Sequence, residues 1–170
     1  IDWDAKLYDY QKETVSQARE LIKQGHKNIL IVSPTGSGKT VIATHMTDIA
    51  RAKQSRVAFV VDRLSLIQQT STTFFDADID HGVIQADHPM YHPWKNVQIC
   101  SQQTLSRRKW PDADIIFVDE AHTVTETVKK RITPRDTVTI GLTATPFTKG
   151  LGKHYDAIVN VTTTNKLIAS

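Results

Sequence analysis

Apolar residues along this chain fall into two patterns: short unbroken runs, and longer stretches in which they recur every third or fourth position. The runs "NILIVS", "RVAFVVD", "NVQICS", "ADIIFVD" and "TVTIGLT" are rich in β-branched residues and bounded by turn formers, so each predicts a strand buried on both faces. The longer stretches predict helices. In "YQKETVSQARELIKQG", Tyr10, Thr14, Val15, Ala18, Leu21 and Ile22 share one helical face and Gly25 supplies a stop. "TVIATHMTDIARAK" and "LSLIQQTSTTFF" repeat that spacing. From Asp76 to Lys95 the chain is rich in Asp, His and Pro, and holds at most a short strand at "HGVIQA". Strands separated by helices predict an α/β domain, a mainly parallel sheet with helices on both faces.

Composition narrows the class. The chain has 170 residues, with 39% hydrophobic and 23% charged, which suits one globular domain with its own core. No apolar run is long enough to cross a bilayer, and "IDWDAKLYDY" has neither the basic start nor the apolar stretch of a secretory signal. Cys100 is the single cysteine, so no internal disulfide forms and a reducing compartment such as the cytoplasm is expected. Its place in "VQICSQQ" reads as a small buried strand residue. His88 and His92 in "HPMYHP" lack the second ligand pair of a zinc site and read as a loop. A net charge of +3 permits polyanion binding without requiring it.

The first chemical signal is "SPTGSGKT", residues 33–40, directly after the apolar run "NILIV". A strand feeding a glycine-rich turn that opens a helix aims backbone N–H groups and the positive helix end at one point, which suits a phosphate. Thr35, Gly36, Ser37 and Gly38 form the cradle, Lys39 reaches the β and γ oxygens, and Thr40 can ligate Mg²⁺. Ser33 stands where glycine is commonest. The second signal is "IIFVDEAH", residues 115–122. A buried strand ends at Asp119 and Glu120, at the edge where ligands gather in open α/β sheets. Asp119 is expected to position Mg²⁺ and Glu120 to orient and deprotonate the attacking water. An acidic helix cap would also place acids here, yet it leaves unexplained why the pair follows so apolar a strand.

Taken in order, "SPTGSGKT", "VDEAH" and "GLTATPF" resemble the superfamily 2 helicases and translocases of the DEAD/DEAH-box class. The resemblance runs from about Leu7 to about Ser170 and implies the first of two RecA-like P-loop NTPase domains, with ATP and Mg²⁺ as cofactors. It makes "LYDYQ" the adenine-recognition segment, with Gln11 reading the base edge and Tyr8, where many relatives carry arginine, stacking on it. Within "TAT", Thr143 and Thr145 are the residues that, with His122, couple hydrolysis to domain movement.

Two further segments resemble the family's nucleic-acid face. In "VVDRLSLIQQT", Arg63, Ser65 and Gln68 are placed to meet phosphates; in "SQQTLSRR", Gln103 and Thr104 are backbone contacts and Arg107 with Arg108 a positive patch. Alone, each reads as a solvated helix face. Such contacts tolerate any sequence, and DNA is favoured over RNA as partner. Trp94 and Trp110 lie in Pro-containing loops, where packing under the loop is expected. "KKRITPR" is assigned to solvated surface.

The segment after "GLTATPF" resembles neither a second RecA-like domain nor its arginine finger. The expectation is a monomeric first motor domain spanning residues 1–170, with slow hydrolysis, because such a finger contributes roughly a thousandfold or more in rate. Two alternatives stay open: a nucleotide-gated clamp without productive turnover, and an RNA helicase domain.

Overall fold

A computed structural model describes residues 7–33, 36–61, 64–85, 92, 94–105, 113–119, 137–144, 155 and 157–160. In chain order the elements are α1 (Asp9–Lys23), β1 (Asn28–Val32), α2 (Gly36–Ala52), β2 (Val57–Val61), α3 (Leu64–Asp76), β3 (Gly82–Ile84), β4 (Val97–Ser101), α4 (Gln102–Leu105), β5 (Ile115–Val118), β6 (Val138–Thr143) and β7 (Ala157–Asn160). Each predicted strand is present. The helix predicted from Thr40 begins a turn earlier, at Gly36, because the glycines of the phosphate loop already open the helix.

The strands form one seven-stranded sheet in the order β3-β4-β2-β5-β6-β1-β7, and every described pairing is parallel. Strand alternation turns each apolar run into two faces. Ile29 and Ile31 of β1, Phe59 and Val61 of β2, and Ile140 and Leu142 of β6 face one core. Onto it pack Val15 and Ala18 of α1, Ile42, Ala43, Met46 and Ala50 of α2, and Ile67 and Phe74 of α3. Leu30, Val32, Ala58, Val60, Ile116 and Val118 face the opposite side, with Cys100, Leu105 of α4, Ala113 and Tyr155. This two-sided burial explains why the strands read as continuous apolar runs.

Phe59 anchors the first core, stacked on Phe117 at 5.8 Å and edge-on to Phe74 at 5.9 Å. At the sheet's β3 end, the fully buried His81 bonds Ile79 O through Nδ1 at 2.9 Å and Ser71 Oγ through Nε2 at 2.8 Å. A carbonyl can only accept, so Nδ1 carries a proton and donates it to Ile79 O. Gly25 ends α1 at φ +100°, the left-handed conformation that halts a helix. No helix among the described residues is long and apolar enough to cross a membrane.

Candidate nucleotide site at the C-terminal edge of the sheet

The strand order brings the chemistry together. β5, β6 and β1 are consecutive neighbours, all parallel, so their C-terminal ends lie side by side. Those ends lead into Asp119, into Thr143 and Ala144, and into the "SPTGSGKT" loop. A hydrogen bond ties two of them: Ser33 N–H donates to Thr143 O at 2.8 Å. Ser33 is fully buried and lies outside the left-handed region, so the backbone here has no need of glycine and a hydroxyl residue is accommodated.

Asp119 is 4% exposed and its N–H donates to Val60 O at 2.9 Å, which extends the β5–β2 pairing by one residue and fixes where the carboxylate leaves the strand. Thr40 lies one turn into α2, where its carbonyl accepts the Thr44 hydroxyl at 2.7 Å. Thr40 and Asp119 line one cleft of about 450 Å³. Its far wall is α3, which contributes Leu66, Gln68, Gln69 and Thr73. A hydroxyl and a carboxylate beside a helix N-terminus are hard oxygen donors suited to Mg²⁺ carried on a phosphate. Among the described residues no cluster of three or more His, Cys, Asp or Glu is arranged to hold a metal by itself.

At the start of α1, Gln11 is 4% exposed and its Oε1 accepts the Tyr8 N–H at 2.9 Å. The amide oxygen is thus committed to the helix start, which leaves Nε2 as the group able to meet a base edge. Tyr8 is 69% exposed, its ring parallel to Tyr10 at 5.8 Å. It is an open aromatic face of the kind on which a base stacks.

β4 and β2 are also neighbours, beside β5, so the ends of the two segments assigned to nucleic acid share the edge that carries Asp119. Gln68 and Gln103 are exposed and Thr104 is half-buried. Gln68 opens onto the same cleft as Asp119 and Thr40. The remaining predicted residues, Thr35, Arg63, Arg107, Glu120, His122 and Thr145, lie outside the described residues, as do the side chains of Ser37, Lys39 and Ser65. Gly36, Gly38 and Lys39 contribute backbone to the first turn of α2.

Two features depart from the sequence reading. Trp94 does not pack under a loop: it is 73% exposed and leans on His92 at 5.0 Å. Gln69 and Thr73 of the cleft wall were not singled out, although the uncharged polar run "QQTSTT" in an amphipathic helix was their signal.

With this geometry in place, residues 4–148 match the family described as Type III restriction enzyme, res subunit. The chain belongs to that family. Its fold is the first RecA-like domain of a superfamily 2 helicase. Two curated relatives are similar to the chain. A 51.5 kDa protein of Lactococcus phage (isolate 7-9) is 30% identical over 148 residues, covering 82% of this chain and 29% of that protein. The Type I restriction enzyme EcoKI endonuclease subunit of Escherichia coli (strain K12) is 32% identical over 131 residues, covering 66% of this chain and 11% of the subunit. The chain therefore spans less than a third of either relative. Among solved structures, the Sulfolobus solfataricus SWI2/SNF2 ATPase core in complex with dsDNA superposes with a TM-score of 0.71 at 18% identity, over 88% of this chain and 36% of that one. That likeness concerns the fold. The chain is a helicase- or translocase-type domain of the restriction-enzyme-like branch of superfamily 2.

Proposed function

We propose that this domain binds ATP with Mg²⁺ and hydrolyses it to ADP and phosphate, driving movement of the full-length protein along DNA. Residues 1–170 form its first RecA-like domain, and a second RecA-like domain elsewhere in the full-length protein completes the motor. The observation that carries the reading is the convergence of the β1, β6 and β5 ends, with Thr40 and Asp119 on one cleft beside the α2 N-terminus.

In this reading the backbone from Thr35 to Gly38 cradles the β-phosphate at the positive end of α2. Lys39 neutralises the β and γ oxygens, and Thr40 with Asp119 holds the cation. The cation held by Thr40 and Asp119 would supply charge neutralisation at the transferring phosphoryl group. Glu120 takes a proton from the water that attacks the γ-phosphorus as the bond to the β–γ bridging oxygen breaks. The adenine meets Gln11 Nε2 and the exposed face of Tyr8. His122, Thr143 and Thr145 link the hydrolysis site to the second domain; the Ser33–Thr143 hydrogen bond supports this coupling, since it joins the start of the phosphate loop to the strand that ends at Thr143. Arg63, Ser65, Gln68, Gln103, Thr104 and Arg107 contact the sugar-phosphate backbone, which gives affinity without sequence preference.

The test is Mg²⁺-dependent ATP hydrolysis by the wild type, Lys39→Ala and Glu120→Gln, with and without single-stranded and duplex DNA. Slow turnover that both substitutions abolish, with nucleotide binding retained in Glu120→Gln, is the expected result. Turnover no faster in the wild type than in Glu120→Gln, when assayed with the second domain present, sinks the motor reading in favour of a nucleotide-gated clamp.

A further inference from the structure

At the opposite edge of the sheet, the ends of α1 and α2 and the first residue of β5 enclose an apolar groove of about 170 Å³. Its floor is Met46 and Ala50, both 5% exposed. Half-buried Ile22, Ile49 and Ile115 form the walls. Its rim is cationic: Arg19 and Lys23 from α1 and Lys53 just past α2, all exposed. None of the three side chains has a hydrogen-bond or ion-pair partner among the described residues, and no acidic residue lines the groove. Two cations adjacent in sequence to the lining residues are already engaged, Arg51 with Asp48 and Arg56 with Asp114.

Three like charges around one apolar opening raise the local positive potential, and no carboxylate lines the opening to offset it. A purely ionic ligand leaves the isoleucines in water, while a purely apolar one leaves the cations unmatched. The volume is close to the roughly 150 Å³ of an apolar cavity that takes one benzene-sized group, so a single Leu or Phe anchor fills it. We propose that this groove docks an acidic amphipathic helix of a protein partner, with one apolar anchor between the isoleucine walls and carboxylates facing Arg19, Lys23 and Lys53. Ile115 begins the strand that Asp119 follows, so the partner binds at the far end of β5 from the nucleotide cleft. The inference is independent of the nucleotide chemistry, and binding needs no ATP.

The probe is a fluorescein-labelled helical peptide of about 15 residues, with Leu along one face and Glu flanking it. It is titrated into the protein beside a scrambled peptide of the same composition, oligo-glutamate and a short DNA duplex. Binding is read by anisotropy and by ¹³C-methyl shifts of Met46, Ile22, Ile49 and Ile115. The amphipathic peptide is expected to shift those methyls and to lose about tenfold in affinity in Arg19→Glu/Lys53→Glu. That pair leaves Lys23 to complement the C-terminal end of α1, and an unchanged melting curve confirms the fold. Failure of the peptide to bind overturns the proposal. So do equal binding by the scrambled peptide or oligo-glutamate, unchanged affinity in the double variant, or the same methyl shifts from duplex DNA.

Discussion

Gly141, in the middle of β6, is tied to one neighbour. A Cβ built there stands 2.5 Å from the Tyr155 hydroxyl and 2.6 Å from its ring, so the strand is bare because a tyrosine lies flat upon it. Both atoms are buried, and neither the strand nor the ring can retreat without opening the second core. Gly141→Ala should therefore lower unfolding stability by roughly 1–3 kcal/mol, the usual cost of overpacking a filled core, as measured by urea denaturation. The Tyr155 hydroxyl has no hydrogen-bond partner among the described residues, and burial pushes its proton affinity up from the ordinary 10.0. Burial does the same to the Cys100 thiol, whose ordinary value is 9.0. Both groups hold their protons more tightly folded than unfolded. Their contribution is fully present below the unfolded values and is lost as pH rises past them. The stability curve should accordingly fall above about pH 9, and Cys100 should resist alkylation until the protein unfolds. Level stability up to pH 11 would contradict this.

The helices and strands show how far the sequence could be read. Strands β1, β2, β4, β5 and β6 were visible because burial on both faces leaves a continuous apolar run, and α1 and α3 because their apolar spacing is helical. For "SPTGSGKT" and "VDEAH" the sequence offered a chemical expectation, since residue type and flanking strand together restrict what those loops can do. Strand order was not legible: nothing in a run of Val and Ile names its neighbour, and it is the order that puts Asp119 beside Thr143 and the phosphate loop. The early start of α2 was hidden because glycines read as a turn. Trp94 misled because Pro-rich surroundings suggest a covering loop, whereas its ring rests on His92 and faces solvent. Gly25 was correctly read as a stop. Its Cβ would meet nothing within 4 Å, so substitution tests backbone conformation alone. Gly25→Ala should cost about 1 kcal/mol through the strain of φ +100°, seen as a lower thermal midpoint with the active edge unaffected.

For the molecule as a whole, the proposed activity depends on parts of the chain far apart in sequence. If Thr40 and Asp119 share a cation in the cleft, Thr40→Val should weaken Mg²⁺-ATP binding by roughly tenfold or more, while binding of ATP in EDTA changes little. Calorimetry with and without the metal separates the two, and an equal loss in both would assign Thr40 to packing alone. The same interleaving has a consequence for biosynthesis. Among the described residues β1 pairs only with β6 and β7, and β2 only with β4 and β5. On a ribosome, therefore, no two strands can zip together until β4 has emerged, and β1 waits for β6. The two halves of the sheet meet only at the β5–β6 seam. Such late, non-local pairing folds slowly and leaves apolar strands bare in the meantime. Nascent chains stalled before Val138 should thus be the species that chaperones hold and proteases cut, with protection appearing only once β6 is free to slot between β5 and β1.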